Sequence, residues 1–274
     1  MTSTQSNAAA IRAFRIVELL AQAQQPLTLM DISNRMDLPK QSVHRLLKQL
    51  ENAWLVNRDG PGKHYVCSSR VRQMAINMLM TTGPAAARRA ILQEMADKVQ
   101  ASCNLAISSG DAVVYLDRVE ANWNAGTKLA PGTRVPFHCT ASGKLLMSFL
   151  PKQQRESLLK RLPLRRWTER TISEADALRA DLEQTRKRRF GVNVGEYLPG
   201  VVAIAVPVML SAQRAGAALA IQVSAQQFSI ADLMQWVPEL HRVAERLAQT
   251  FDAPDELLPQ SLETAESPLA LLQP

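Results

Sequence analysis

The sequence predicts an α+β fold in two parts: an N-terminal winged helix-turn-helix and, beyond a linker helix, a larger domain with a mostly antiparallel sheet and flanking helices. Three observations carry this. Two short amphipathic segments, one on each side of Asp37, are joined by a turn that forces a steep crossing. A β-prone hairpin follows them at once, with Asp59, Gly60, Pro61 and Gly62 supplying its turn. Further along, strands come as hairpins with helices between them, the pattern of an antiparallel sheet covered by helices.

The first helix is expected over Ala10 to Ala21, with Ile11, Phe14, Val17, Leu19 and Leu20 as its packing face. The second runs from Thr28 to Arg35, with Leu29, Ile32 and Met36 inward, Thr28 as N-cap and Asp31 in the first turn. The third opens "LPKQSVHRLLKQL", starting at Leu38 or Pro39, since proline suits a first helical turn. Val43, Leu46, Leu47 and Leu50 fall at i, i+3, i+4 and i+7 and form its core stripe. At roughly 100° per residue, Gln41, Arg45 and Lys48 lie opposite, with Ser42 and His44 on the flanks. The wing is Trp54 to Val56 paired with His64 to Val66, and Arg58 and Lys63 stand beside its turn.

A connecting helix follows, with Val71, Met74, Ile76, Met78 and Leu79 inward for contact with a partner subunit or the next domain. Gly83 and Pro84 stop it. A helix from Ala85 to Gln100 opens the second domain, burying Ile91, Leu92, Met95 and Val99. "CNLAISSGDAVVYLDRVE" reads as a hairpin and "FHCTASGKLLMSFLP" as a turn entering a helix, with Leu145, Leu146 and Phe149 inward and Pro151 as its end. A long helix is capped by Ser173, carries Glu174 and Asp176 in its first turn, and ends on Arg186 to Arg189 before Gly191. "VVAIAVPVML" and "AGAALAIQVS" are strands, and a closing helix is interrupted by Pro238. The resulting division is residues 1–67 for the winged helix, 68–83 for the linker helix, 84–251 for the second domain and 252–274 for a disordered tail rich in Pro, Glu and Ser.

The chain of 274 residues is too long for one winged helix and suits two domains. Its net charge of +7 is uneven, because residues 1–80 hold 10 Lys and Arg against 5 Asp and Glu. That excess is the electrostatic footprint of a nucleic-acid binder. Cys67, Cys103 and Cys139 form no CxxC pair and have no His at metal-ligand spacing, so they read as reduced thiols, with no metal and no cofactor implied. No stretch approaches the ~20 apolar residues that span a bilayer, and a soluble cytoplasmic protein is expected.

With these segments read, the chain resembles the IclR family of bacterial transcriptional regulators over nearly all of residues 8–250. The resemblance lies in "PLTLMDISNRMDLPKQSVHRLLKQLE", "VVYLDRVE", "PGTRVPFHCTASGK" and "YLPGVVAIAVPV", in that order. It implies a linker helix used in dimerisation, a GAF-like effector-binding domain, and dimers or tetramers on double-stranded DNA. Carried over by position, Pro39 to Leu47 looks like the recognition helix. Arg45 can then pair with guanine O6 and N7, and Gln41 with adenine N6 and N7. Ser42, His44, Lys48 and Lys63 suit phosphates, with Thr28, Pro39, Lys40 and Arg58 completing the expected DNA-binding set. Two copies on a two-fold axis imply a pseudo-palindromic operator. Repression and activation both remain open.

For the effector half, the resemblance puts Val194 where small-carboxylate binders of the family hold an acidic residue, Ala203 at their cysteine, and Ala220 and Gln222 at their serines. This implies a more apolar pocket and an aromatic or weakly polar catabolic metabolite. Asn104, Tyr115 and Asp117 on the first hairpin are expected to line it, with His138, Thr140, Ala141 and Ser142 at the helix start, where free N–H groups can receive an anion. Glu196 orients the loop before the Val201 strand. A regulator without a small-molecule ligand is the alternative. An enzyme or scaffold using the winged helix for protein contacts is the more distant one, since "TASGKLL" fits neither Ser-x-x-Lys nor a phosphate loop.

Overall fold

The computed structural model describes residues 3–23, 25–59, 63–81, 84–120, 129–212 and 214–251, with side chains from residue 9 onward. Gly60, Pro61 and Gly62 of the expected wing turn, Gly83, and the tail 252–274 lie outside the described residues.

The N-terminal unit comprises α1 (Ser3–Gln22), β1 (Leu27–Thr28), α2 (Leu29–Met36), α3 (Lys40–Asn52), β2 (Val56–Arg58) and β3 (His64–Cys67). Ile16, Leu20, Ile32, Val43, Leu46, Leu47, Leu50, Val56 and Tyr65 close its core. The apolar stripe of α3 is buried as expected, but on α1 the inward residues are Ile16 and Leu20. Ile11 and Phe14, expected inside, are 57% and 59% exposed. Among the described residues the core reaches along α1 only from Ala13, so Ile11 lies beyond it and Phe14 points away from it.

Thr28 caps α2 through a capping box. Its hydroxyl accepts from Asp31 N at 3.1 Å and donates to Asp31 Oδ2 at 2.7 Å, and the same carboxylate accepts from Thr28 N at 2.9 Å. Asp37 leaves α2 in the left-handed region at φ +50°, while Ser33 Oγ donates to Leu38 O at 2.6 Å, which fixes the turn. Pro39 stands at the N-cap of α3, one residue outside the helix it was expected to open.

Trp54 is not a strand residue. Leu55 N donates to Leu50 O (2.9 Å) and Trp54 N to Glu51 O (3.0 Å), the two bonds of a Schellman motif, with Trp54 at φ +58° in the place glycine usually takes. The wing strand therefore starts only at Val56. β1, too short to show as a pattern, adds a third strand in the order β1-β3-β2.

α4 (Ser69–Thr81) buries Val71 and Ile76, whereas Met74 and Met78 are 45% and 58% exposed. No described residue of the same chain covers that ridge. The second unit then runs α5 (Pro84–Val99), β4 (Ser102–Ser109), β5 (Ala112–Val119), β6 (Arg134–Val135), α6 (Ala141–Phe149), α7 (Lys152–Arg161), α8 (Ala175–Arg188), β7 (Gly191–Val194), β8 (Val201–Ser211), β9 (Arg214–Ser224), α9 (Ile230–Met234) and α10 (Val237–Gln249). The strands form one six-stranded antiparallel sheet in the order β6-β5-β4-β9-β8-β7.

Three boundaries differ from expectation. α8 starts after Glu174, because the Ser173 hydroxyl accepts from Arg166 Nη2 at 3.3 Å instead of capping the helix. The closing helix breaks at Gln235–Trp236, and Pro238 sits in the first turn of α10, where its missing N–H is tolerated. α7 follows Pro151 directly and was not anticipated.

The two faces of the sheet differ in side-chain size. Val202, Ile204, Val206, Val208, Leu219 and Ile221 pack toward α5 and α10. On the opposite face Ala203, Ala205, Ala218, Ala220 and Ala106 meet α6 and α8. Small residues there let α6 lie close to the strands. A Cβ on Gly191 would stand 2.3 Å from Ala141 O, and one on Gly143 would stand 2.3 Å from Phe137 O.

Gly191→Ala should therefore destabilise the protein by about 1–3 kcal/mol through overpacking against backbone. Urea unfolding measures it, and an unchanged midpoint would contradict the close approach.

Candidate nucleic-acid interface and ligand cavity

α3 presents two faces of different chemistry. Val43, Leu46, Leu47 and Leu50 are at most 5% exposed, while Lys40, Gln41, His44, Arg45 and Lys48 are exposed. Gln41, His44, Arg45 and Lys48 are spaced i, i+3, i+4 and i+7, so they share one stripe. Among the described residues none of these side chains has a hydrogen-bond or ion-pair partner, and Ser42 on the flank has none either. An arginine left unpaired on a rigid, exposed helix keeps its five donors for another molecule.

The other expected contacts divide. Lys63 is exposed beside the wing. Arg58 is held along the wing, with Nε donating to Glu51 Oε1 at 2.9 Å and its guanidinium 5.4 Å from the centre of the Tyr65 ring; the Glu51 bond raises its pKa above the ordinary value. The Thr28 hydroxyl is committed to Asp31, so Thr28 shapes the helix rather than offering a free donor. Arg35, exposed in the last turn of α2, was passed over in the sequence because it falls just before the turn.

In the second unit, β4, β5, β7, β8, β9, the start of α6 and the chain after β7 line a cavity of about 20 Å³. Asn104, Tyr115, Ala203, Ala220 and Gln222 line it from the sheet, and Thr140, Ala141 and Ser142 from the start of α6. Leu129, Asn193, Tyr197, Leu198 and Val201 complete the wall. Thr140 caps α6, accepting from Gly143 N at 3.1 Å and donating to Pro136 O at 2.7 Å. The N–H groups of Ala141 and Ser142 thus stand at a helix start, without intrahelical acceptors.

The floor of the cavity is a chain of polar groups. Arg118 Nη1 donates to Asn104 Oδ1, and Asn104 Nδ2 to Gln222 Oε1 at 3.4 Å. Asn193 Oδ1 accepts from Glu196 N at 2.8 Å. The Tyr115 and Ser142 hydroxyls, 5% and 4% exposed as residues, have no hydrogen-bond partner among the described residues. Burial pushes the Tyr115 hydroxyl up to about 12, so it stays a neutral donor. Among the described residues that line the cavity the donors are neutral and none is a carboxylate, while the Arg118 guanidinium stands behind Asn104.

Comparison with known proteins agrees with both halves. The model of the IclR helix-turn-helix domain matches residues 9–60, and that of the bacterial transcriptional regulator IclR C-terminal domain matches residues 77–249. The chain belongs to the IclR family. It is 55% identical to the probable transcriptional regulator SauR of Cupriavidus necator over 91% of this chain and 99% of that one. The Thermotoga maritima IclR structure superposes with a TM-score of 0.59 at 22% identity, covering 88% of this chain and 97% of that one. An IclR homolog of Microbacterium hydrocarbonoxydans complexed with 4-hydroxybenzoate gives 0.55 at 22% identity, over 89% and 99% of the two chains. This IclR-family regulator is thus a DNA-binding transcription factor with a C-terminal effector-binding domain, and none of its described helices is long and apolar enough to cross a membrane.

Two expected cavity residues lie on the wrong face of the sheet. Val194 pairs with Val202 and packs toward α5 and α10; the cavity residue of β7 is its neighbour Asn193, paired with Ala203. The positional match is therefore off by one residue, which in a strand exchanges faces. Asp117 is displaced by a β-bulge. The β4–β5 register shifts between Leu105 and Ala106, so Tyr115 opposes Ala106, but Asp117 opposes Leu105 on the other face. Arg118, opposite Asn104, takes the cavity side instead. Asp117 borders a hollow of about 280 Å³ between α4, α5 and β5, where its Oδ1 accepts from Arg89 Nη1 at 2.8 Å. That hollow is larger, but its polar lining groups are already paired: Arg88 with Leu79 O, and Arg89 with Asp117.

Glu196 and His138 stand behind the cavity wall. Lys144 Nζ reaches both Glu196 carboxylate oxygens at 2.7 and 2.8 Å and Asp181 Oδ2 at 3.3 Å. Burial pushes the Glu196 carboxyl above its ordinary value, with Lys144 opposing. His138 is 2% exposed, and its ring Nε2 donates to Arg165 O at 2.9 Å. Cys103 and Cys139 are pushed up to about 12 by burial and stay protonated.

Burial also lowers the His138 pKa, against the raising effect of the Arg165 bond. The unfolded chain then binds the proton more tightly, so this contribution to stability is complete above about 6.5 and is lost as pH falls through the lower folded value. Thermal melts between pH 7 and 5 should show this decline, shared with His241, whose pKa burial lowers in the same direction. His138→Gln should flatten it, and an unchanged slope would exclude His138 as its source.

Proposed function

We propose that this IclR-family regulator binds a pseudo-palindromic operator as a dimer or tetramer through α3 and the wing, and responds to a small metabolite that presents an oxyanion to the cavity. The observation that carries the DNA half is the unpaired stripe Gln41, His44, Arg45 and Lys48 on a helix anchored by four buried side chains. Arg45 and Gln41 are the base-reading residues, while Ser42, Lys40, Lys48 and Lys63 hold the phosphates. Met74 and Met78 on α4, with Ile11 and Phe14 on α1, are the apolar surfaces a second copy would cover. The site of action is the cytoplasm, where the DNA is, and no catalytic step is assigned.

The aromatic or weakly polar effector inferred from Val194 gives way to a more polar one. With Asn193 in that place the lining holds three carboxamides, the unpartnered hydroxyls of the buried Tyr115 and Ser142, and the start of α6. Such a set of neutral donors suits a carboxylate, whose charge the helix N-terminus favours. A second reading, an aromatic acid, has the support of the 4-hydroxybenzoate-bound homolog. It shares the oxyanion and differs in the body attached to it.

Arg45→Ala should lower the preference for native upstream DNA over random DNA by about 1–3 kcal/mol per half-site. Lys48→Ala should weaken binding to both alike and reduce the salt slope by about one. Competition titrations in varied salt measure this, and undiminished specificity in Arg45→Ala would refute the assigned face. Thermal shift with acetate, benzoate and 4-hydroxybenzoate tests the effector. A binder present at 100 times its Kd adds about 2.7 kcal/mol, and Ser142→Ala should reduce the shift. Stabilisation by the aromatic acids alone would favour the second reading, and none by any oxyanion would overturn both.

A further inference from the structure

The cavity of about 20 Å³ has room for about one ordered water. Any organic acid is larger, so a wall has to move to admit it. Most walls are poorly placed to do so. The strands belong to the six-stranded sheet, and α6 is seated so closely on them that Gly191 of β7 has no space for a methyl group. The exception is the segment from Glu196 to Pro199, between β7 and β8. It is bracketed by Gly195 at φ +70° and Gly200 at φ +71°, conformations that glycine adopts without strain. A Cβ on Gly200 would meet nothing within 4 Å, and the backbone at the two glycines is held by one hydrogen bond each, Ala225 N to Gly200 O and Gly195 N to Val201 O, both at 2.8 Å. Tyr197 and Leu198 form the cavity wall, while Pro199 and Gly200 are exposed. Behind Tyr197 stands Trp167, edge-on at 5.0 Å and itself 41% exposed.

Hydrogen bonds hold the backbone at the start of this segment, with Glu196 N donating to Asn193 Oδ1 at 2.8 Å, Glu196 O accepting from Thr171 Oγ1 at 2.6 Å and Gly195 O from Thr168 Oγ1 at 2.8 Å, and an ion pair holds the Glu196 side chain. Lys144, 2% exposed on α6, clamps the Glu196 carboxylate from below and reaches Asp181 of α8 at 3.3 Å. Burying an ammonium between carboxylates from two other parts of the chain stabilises little compared with an apolar side chain of the same size. What it supplies is a defined position, because bonds to both carboxylate oxygens fix where Glu196 sits.

We propose that Lys144 is a positioning residue for the effector cavity: through Glu196 it sets Tyr197 and Leu198 over the cavity, and Gly195 and Gly200 are the joints on which this wall opens to ligand. This rests on the effector reading above. Hydrogen–deuterium exchange on the full chain tests it without a ligand, so the two can fail separately.

In Lys144→Met, the amides of Glu196, Tyr197 and Leu198 should exchange about tenfold faster, with the amides of β8 and β9 unchanged. Trp167 emission should shift to the red as Tyr197 leaves it. If Lys144→Met does not fold, Glu196→Gln carries the same test, since it leaves Lys144 its Asp181 partner, and the same local acceleration is expected. Acceleration spread evenly over the second unit would reduce Lys144 to a structural role, and unchanged exchange at 196–198 would remove the ion pair as the anchor. Either result overturns the proposal.

Discussion

Everything in the larger unit depends on the unequal faces of its sheet. Alternation along β8 and β9 sends Val, Ile and Leu to one side and Ala to the other. The bulky side makes an ordinary hydrophobic layer with α5 and α10. The alanine side would be a poor core if its helix stood at the usual distance. It works because α6 comes in close, at Gly191 of β7, which permits it. Close approach brings the start of α6, with its free N–H groups, onto the strands, and the cavity is the space left where the strand residues turn from alanine to amide. The same steric rule therefore produces both the packing and the site.

A comparable economy governs the N-terminal unit. The four apolar residues of α3 carry its contact with the core, and Gln41, His44, Arg45 and Lys48 take no part in it. The turn before it is stabilised locally, by the Thr28–Asp31 capping box and the Ser33–Leu38 bond, so the helix is aimed by short-range contacts. Because no described partner engages Gln41, His44, Arg45 or Lys48, their chemistry is free for recognition, and changing them leaves the core intact.

The elements with strong periodicity were legible in the sequence: α2 and its cap, the stripe of α3, the β4–β5 hairpin, the two long strands and the two helices that flank them. What was not legible follows from features that a pattern of residue types does not encode. Trp54 has the composition of a strand residue, yet the bonding at the end of α3 places it in a left-handed turn. Ile11, Phe14, Met74 and Met78 look like core residues because they are apolar, but burial also requires something opposite them. In the cavity, the residues at the helix start and on β9 were found by position. Val194 and Asp117 are expected in the cavity but face away from it, because a one-residue offset and a bulge each reverse the face of a strand. The burial of Lys144 beside two carboxylates has no signature in one dimension.

The bulge in the first hairpin carries a consequence for how such proteins diverge. Along three successive residues of β5 the chain presents leucine to the core, aspartate to the hollow beside α5, and arginine to the floor of the cavity. Acid and base are thus assigned to opposite sides by where the strand takes up its extra residue, not by which residues it contains. A relative with the same amino acids, but without the bulge, would have the two charges exchanged. Which charge stands behind Asn104 is therefore set by strand register as much as by the residues themselves.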